Sequence, residues 1–213
     1  MSSKEFMKKI IELYHSARHP KYYNPNIFRG RSSSISSELE DLTAFFISLN
    51  NPNLCKYFVD QPMEFKGIAT KYPDIVIQEN NGIIKNLIDV KTDIGWSRNN
   101  MYEFCAEWEQ NIEKIKGTET TFNNGVTKEN LTGKFSEEIK YHILIITKIN
   151  SGKVIEQDYI KVKNEMKNVF LYILSDKTHP NEYGKTEDEI LNSININQEE
   201  FDRLFFHIIN NSC

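Results

Sequence analysis

Two periods of apolar residues divide the chain into elements. Over residues 3–17, Phe6, Ile10, Leu13, Tyr14 and Ala17 fall on one stripe, which predicts an amphipathic helix with Ser2 and Glu5 as its capping box. Residues 18–37 lose the period and carry Pro20, Pro25, Gly30 and a serine cluster, so they read as a loop. A second helix is predicted over 36–49. Ser36 or Ser37 is its cap, Leu39, Leu42, Phe46 and Leu49 are its buried face, and Asn50-Asn51-Pro52 ends it. Tyr57–Phe65 reads as a strand. Two β-rich segments, 74–79 and 84–91, flank Asn80-Asn81-Gly82-Ile83, and an Asn-Gly between apolar segments predicts a type I′ hairpin turn. Residues 101–116 are helical, with Phe104, Trp108, Ile112 and Ile115 on one face. Residues 117–137 read as a long polar loop, and 139–149 and 169–174 as hydrophobic strands of a sheet interior. Two helices close the chain, each opened by a capping box: Thr186 with Glu189, and Asn197 with Glu200.

That order predicts an α/β fold, a mixed sheet covered by helices. A single domain spans 1–213, with the N-terminal helix and arm (1–35) and the C-terminal helical pair (186–213) as additions. With 39% hydrophobic and 26% charged residues in 213, the chain can bury a core. No apolar run approaches the roughly 18 residues of a membrane span. The N-terminus lacks the pattern of a secretory signal. The three cysteines are widely spaced and fit neither a disulfide framework nor a zinc knuckle, and a cytoplasmic location is expected. The five histidines show no metal-ligand spacing, and His142 in an apolar strand reads as a core histidine with its hydrogen bonds satisfied.

A net charge of −4 argues against binding polyanions through overall charge. Basic residues are nevertheless concentrated locally. No acidic residue occurs from Leu13 to Ser37, and Arg18, Lys21, Arg29 and Arg31 alternate there with Tyr22, Tyr23 and Phe28. The segment is either a solvated surface loop or an arm that contacts phosphates.

Four acid-x-Lys tripeptides occur, about as many as chance supplies, and only Asp89-Val-Lys91 has a Pro-Asp, Pro73-Asp74, shortly upstream. Register adds weight. If Asn81-Gly82 is a two-residue loop, Asn80 faces Ile83 and the same ladder sets Asp74 opposite Asp89, with Cβ atoms about 5 Å apart. Lys91 lies two residues further on, hence on the same face. Like charges placed opposite each other destabilise a hairpin. A divalent cation between the carboxylates removes that cost, and oxygen ligands suit Mg²⁺. A neighbouring lysine can favour deprotonation of a metal-bound water. The alternative is a surface hairpin with solvated Asp89 and Lys91, which explains poorly why they end an apolar segment.

Pro73-Asp74, fourteen intervening residues and Asp89-Val-Lys91 resemble the motif of the PD-(D/E)xK nuclease superfamily. The string from Tyr72 to Thr92 is most similar to type II restriction endonucleases of the blunt-cutting kind. The specific likeness covers about residues 57–92, and the element order extends it loosely to about 176. The resemblance implies a restriction-endonuclease-like fold and a sequence-specific double-stranded DNA endonuclease leaving 5′-phosphate and 3′-hydroxyl ends. It implies that Asp74 and Asp89, with the Val90 carbonyl, hold Mg²⁺, for which Mn²⁺ substitutes. Lys91 then orients or activates the attacking water, and Glu40, with Glu38 as competitor, assists from the preceding helix. Base reading would fall to the arm 18–31, to the loop 92–100 with Arg98 and Asn99, and to the loops 117–137 and 177–185. A palindromic target requires a homodimer, and a restriction role implies a cognate DNA methyltransferase. The apolar stripe of Phe201, Leu204, Phe205, Ile208 and Ile209 serves either a dimer or the core. A structure-specific repair or junction nuclease, or a non-catalytic DNA-binding domain on the same fold, are the alternatives.

Overall fold

The structure is a computed structural model and describes residues 1–22, 24–95 and 100–210. Helix α1 (Ser3–Ala17) opens with the expected capping box: Ser2 Oγ accepts from the Glu5 N–H, and the Glu5 carboxylate accepts from the Ser2 N–H. Helix α2 (Ser36–Asn50) departs from expectation at its start, because Ile35 is the cap residue and no side chain caps it. The Ser37 hydroxyl donates instead to Glu38. The buried face of α2 runs through Leu39, Thr43, Ala44, Phe46 and Ile47, while Leu49 is 53% exposed.

The expected strand over 57–65 is two strands, β1 (Cys55–Val59) and β2 (Met63–Phe65). Asp60 breaks the run with φ +50°, a left-handed conformation, and its N–H donates to the Asp74 carbonyl. After β3 (Ala69–Lys71) come β4 (Ile75–Glu79) and β5 (Ile83–Lys91), then α3 (Met101–Ile115). The segment expected to be a polar loop forms β6 (Glu119–Asn123) and the first half of β7 (Asn130–Ile145), which begin as an antiparallel pair. Thr120 and Phe122 of β6 point inward in alternation with exposed neighbours. Helix α4 (Ile155–Glu165), which the sequence pattern does not predict, lies between β7 and β8 (Val169–Ile173). Its presence follows from the ladder: β7 and β8 are parallel, and a parallel pair needs a crossover. A short β9 (Ser175–Asp176) pairs with β10 (Asn195–Ile196) around α5 (Glu187–Ser193), and α6 (Gln198–Asn210) ends the described chain.

The sheet has eight strands in the order β1-β4-β5-β7-β6-β2-β3, with β8 on the far half of β7. β5, β7 and β8 run parallel, and the remaining pairs of this sheet are antiparallel. Helices cover both faces. Phe6, Ile10, Leu39, Phe46 and Phe201 pack with Ile75, Ile88 and Val90 on one side. Cys105, Trp108, Ile112 and Val162 pack with Val76, Leu87 and Ile143 on the other. Phe201, Leu204 and Ile208 of α6 are core residues. The capping box expected at Asn197 and Glu200 does not form: the Glu200 carboxylate accepts from Tyr159 and Arg203, and the Asn197 N–H donates to the Leu174 carbonyl. Among the described residues no helix is long and apolar enough to cross a membrane.

Candidate active site

The hairpin turn differs from the expected type I′ form. Gly82 has φ +88° and neither Asn80 nor Asn81 has positive φ. The Gly82 N–H bonds to the Glu79 carbonyl, and Gln78 pairs with Ile84, one step off the expected register. A bulge at Lys85 then absorbs that step. Beyond it Ile77 pairs with Asn86, Val76 with Leu87 and Ile75 with Ile88, the expected ladder. Asp74, immediately before Ile75, therefore sits across from Asp89.

The side chains converge on one ammonium. Lys91 Nζ lies 2.7 Å from Asp89 Oδ2 and 4.0 Å from Asp74 Oδ2. Asp74 Oδ2 also accepts from the Val90 N–H at 2.6 Å. Val90 thus meets the site through its backbone, while its side chain packs in the core under α2. Alternation on β5 explains the split: Leu87 and Asp89 face the α3 side, Ile88 and Val90 the α2 side.

Burial raises the Asp74 pKa first, the Asp89 charge next, and Lys91 and the Val90 N–H oppose them; the carboxyl is pushed up to about 7. At Lys91 burial works against the charge, but Asp89 and Asp74 outweigh it and the pKa is raised. Glu40 is the helix acid that joins this group. Burial and then Asp60 raise its pKa, Lys91 lowers it, and Asp89 is among the charges that act on it. Glu38 is exposed and accepts from Ser37, so the turn of α2 selects Glu40.

The donors fit a hard cation in type: two carboxylates on facing strands, one of them held near its titration point by burial and its like-charged neighbour. Among the described residues no three His, Cys, Asp or Glu side chains are grouped to hold a metal. The pair Asp74 and Asp89, supplemented by backbone oxygen and water, is what the chain offers.

The basic arm divides. Arg18 is committed to the loop after β9: Nε donates to Asn181 Oδ1, Nη2 donates to the Glu182 carbonyl, and the guanidinium lies 5.0 Å over the Tyr183 ring. Lys21, Arg29 and Arg31 are exposed, as are Tyr22 and Phe28, and Arg29 Nε donates to the Arg31 carbonyl. Arg98 and Asn99 lie outside the described residues. His142 is fully buried with both ring nitrogens bonded, Nε2 to Asn86 Oδ1 and Nδ1 to the Tyr172 hydroxyl.

Sequence reasoning missed two neighbours of the site. Asp60 reaches it through the break between β1 and β2, and Tyr141 through the β5–β7 ladder. A polar residue at the end of an apolar alternation, Val59-Asp60, was the available signal for the first. Pairing between distant strands left none for the second. No family model matches the chain, and no curated protein matches it.

Proposed function

We propose that the chain is a Mg²⁺-dependent endonuclease of double-stranded DNA, acting as a type II restriction enzyme. The observation that carries this reading is the convergence of Asp74, Asp89 and Lys91 at the end of one antiparallel pair, with Glu40 brought in from α2. A buried and a half-buried carboxylate facing each other cost stability, and metal-assisted phosphodiester hydrolysis is the chemistry that uses them. Asp74 and Asp89 would hold the ion with the Val90 carbonyl, and Mn²⁺ would substitute. When bound, the cation supplies positive charge to phosphate oxygens during in-line attack.

The residues divide the remaining work. The Val90 N–H fixes the Asp74 carboxylate. Without a cation, the Asp89 and Asp74 charges raise the Lys91 pKa, and its ammonium sits where it can orient or activate the attacking water and stabilise charge on the phosphate. Glu40 assists across Lys91. Lys21, Arg29 and Arg31 are exposed and able to follow a DNA backbone, with Tyr22 and Phe28 beside them. A palindromic site calls for a homodimer, and survival of the host calls for a cognate methyltransferase in the same cytoplasm.

Incubation of the purified protein with phage DNA and Mg²⁺ tests the reading. Discrete bands are expected. A smear, or cutting confined to branched DNA, points to a non-specific or structure-specific nuclease. Asp74→Ala and Lys91→Ala should each lower the cutting rate by at least about a hundredfold. If plasmid cleavage survives both changes, the site assignment fails.

A further inference from the structure

Tyr141 stands on β7, one strand from the carboxylates. Leu87 pairs with Tyr141 and Asp89 with Ile143, so Tyr141 is diagonally adjacent to Asp89 on the same face of the sheet. Its ring stacks on Trp108, with centroids 3.9 Å apart and planes 15° from parallel. The residue is fully buried, yet its hydroxyl makes no hydrogen bond of good geometry. Buried hydroxyls are nearly always paired, so an unpaired one marks a place kept for something else. Asp89 lies within hydrogen-bonding reach of this hydroxyl without being aligned to accept from it, and the charges of Asp89 and Asp74 both act on it. The near oxygen of Asp89, meanwhile, is taken by Lys91 at 2.7 Å.

We propose that Tyr141 is a positioning residue for Asp89, its hydroxyl orienting that carboxylate when the carboxylate carries a divalent cation. The inference rests on the metal-binding reading above. A phenol is a donor at neutral pH, and a carboxylate turned toward a cation has a second oxygen to be satisfied. The Trp108 stack and the β7 backbone prevent the ring from swinging away, so the donor is fixed before any cation arrives. An unpaired buried hydroxyl is the stability cost of that arrangement.

The test compares wild type with Tyr141→Phe, which keeps the ring and its stacking. In EDTA the variant should melt at the same temperature or higher, because it loses only an unpaired polar atom. Calorimetric titration with Ca²⁺, which reports binding without turnover, should show affinity about 10- to 100-fold weaker in the variant. Equal Ca²⁺ affinity in the two proteins overturns the proposal and leaves the nuclease reading intact. A lower melting temperature for the variant in EDTA also overturns it, because the hydroxyl would then be structural. A wild type that binds no divalent cation overturns the nuclease reading, and the role of Tyr141 with it.

Discussion

At Asp74 the needs of the site and the stability of the fold conflict. The carboxyl has an ordinary value of 3.8 and is pushed up to about 7, by burial first and by Asp89 second. Below about pH 4 it is protonated in folded and unfolded chains alike, and the interaction costs nothing. Between about pH 4 and 7 the unfolded chain ionises freely while the folded one resists, so stability falls as pH rises through this window. Above about 7 the full penalty applies, on the order of a few kcal/mol. Asp74→Asn removes the charge and keeps an acceptor for the Val90 N–H. In EDTA it should therefore be more stable than wild type at pH 8 and equal to it at pH 4, as read from urea midpoints. A variant that gains nothing at pH 8 would show that Asp74 is not held against its charge. The same substitution should abolish cutting, which separates the stability of the site from its use.

A chain of hydrogen-bonded polar groups ties four elements together: Asn86 on β5, His142 on β7, Tyr172 on β8 and His207 on α6. His142 Nδ1 and His207 Nδ1 lie 3.0 and 2.9 Å from the Tyr172 hydroxyl. Burial holds the His142 pKa well below its ordinary value and lowers that of His207 to about 4. This stability is present above about pH 6.5 and is lost as pH falls toward 4, opposite in sign to the effect of Asp74. Tyr172→Phe strands two ring nitrogens and should cost about 1–3 kcal/mol in urea unfolding at pH 7.5. A change under about half a kcal/mol would show that these hydrogen bonds contribute little. Elements with a local signal were legible from sequence. The stripe and cap gave α1 to its ends, and β4 with β5 could be read because a hairpin pairs neighbours, which carried Asp74, Asp89 and Lys91 with it. The type I′ turn was misplaced by one residue, and the bulge at Lys85 compensated. Glycines at 117, 125 and 133 and a polar composition hid β6 and the start of β7, although the two pair with each other as neighbours. Helix α4 shows Ile155, Tyr159 and Val162 at helical spacing, but its eleven residues are mostly polar. The choice of Glu40 over Glu38 needed the phase of α2, which is fixed by Leu39, Thr43 and Phe46 against the core.

For the molecule as a whole, the proposed DNA substrate has to be reconciled with a net charge of −4. Separation of the charges reconciles the two: carboxylates collected where a cation is wanted, and cations on an arm without acids. The structure divides that arm by task. Arg18 pins it to the 177–185 loop, where Asn181 also donates to Ser32 and the Ser32 N–H donates to the Tyr183 hydroxyl. Lys21, Arg29 and Arg31 remain exposed. Replacing those three with alanine should leave the melting temperature unchanged, since exposed substitutions of this kind usually fall within about half a kcal/mol. The triple variant should nevertheless bind duplex DNA more weakly in Ca²⁺. The slope of log affinity against log salt should be shallower by up to about 3, near 0.9 for each phosphate no longer neutralised. Arg18→Ala should act the other way round, lowering stability by about 1–3 kcal/mol through the hydrogen bonds it removes and altering the slope less. An unchanged slope in the triple variant would remove the arm from the DNA interface and leave the loops beyond β5 and β9 to supply it.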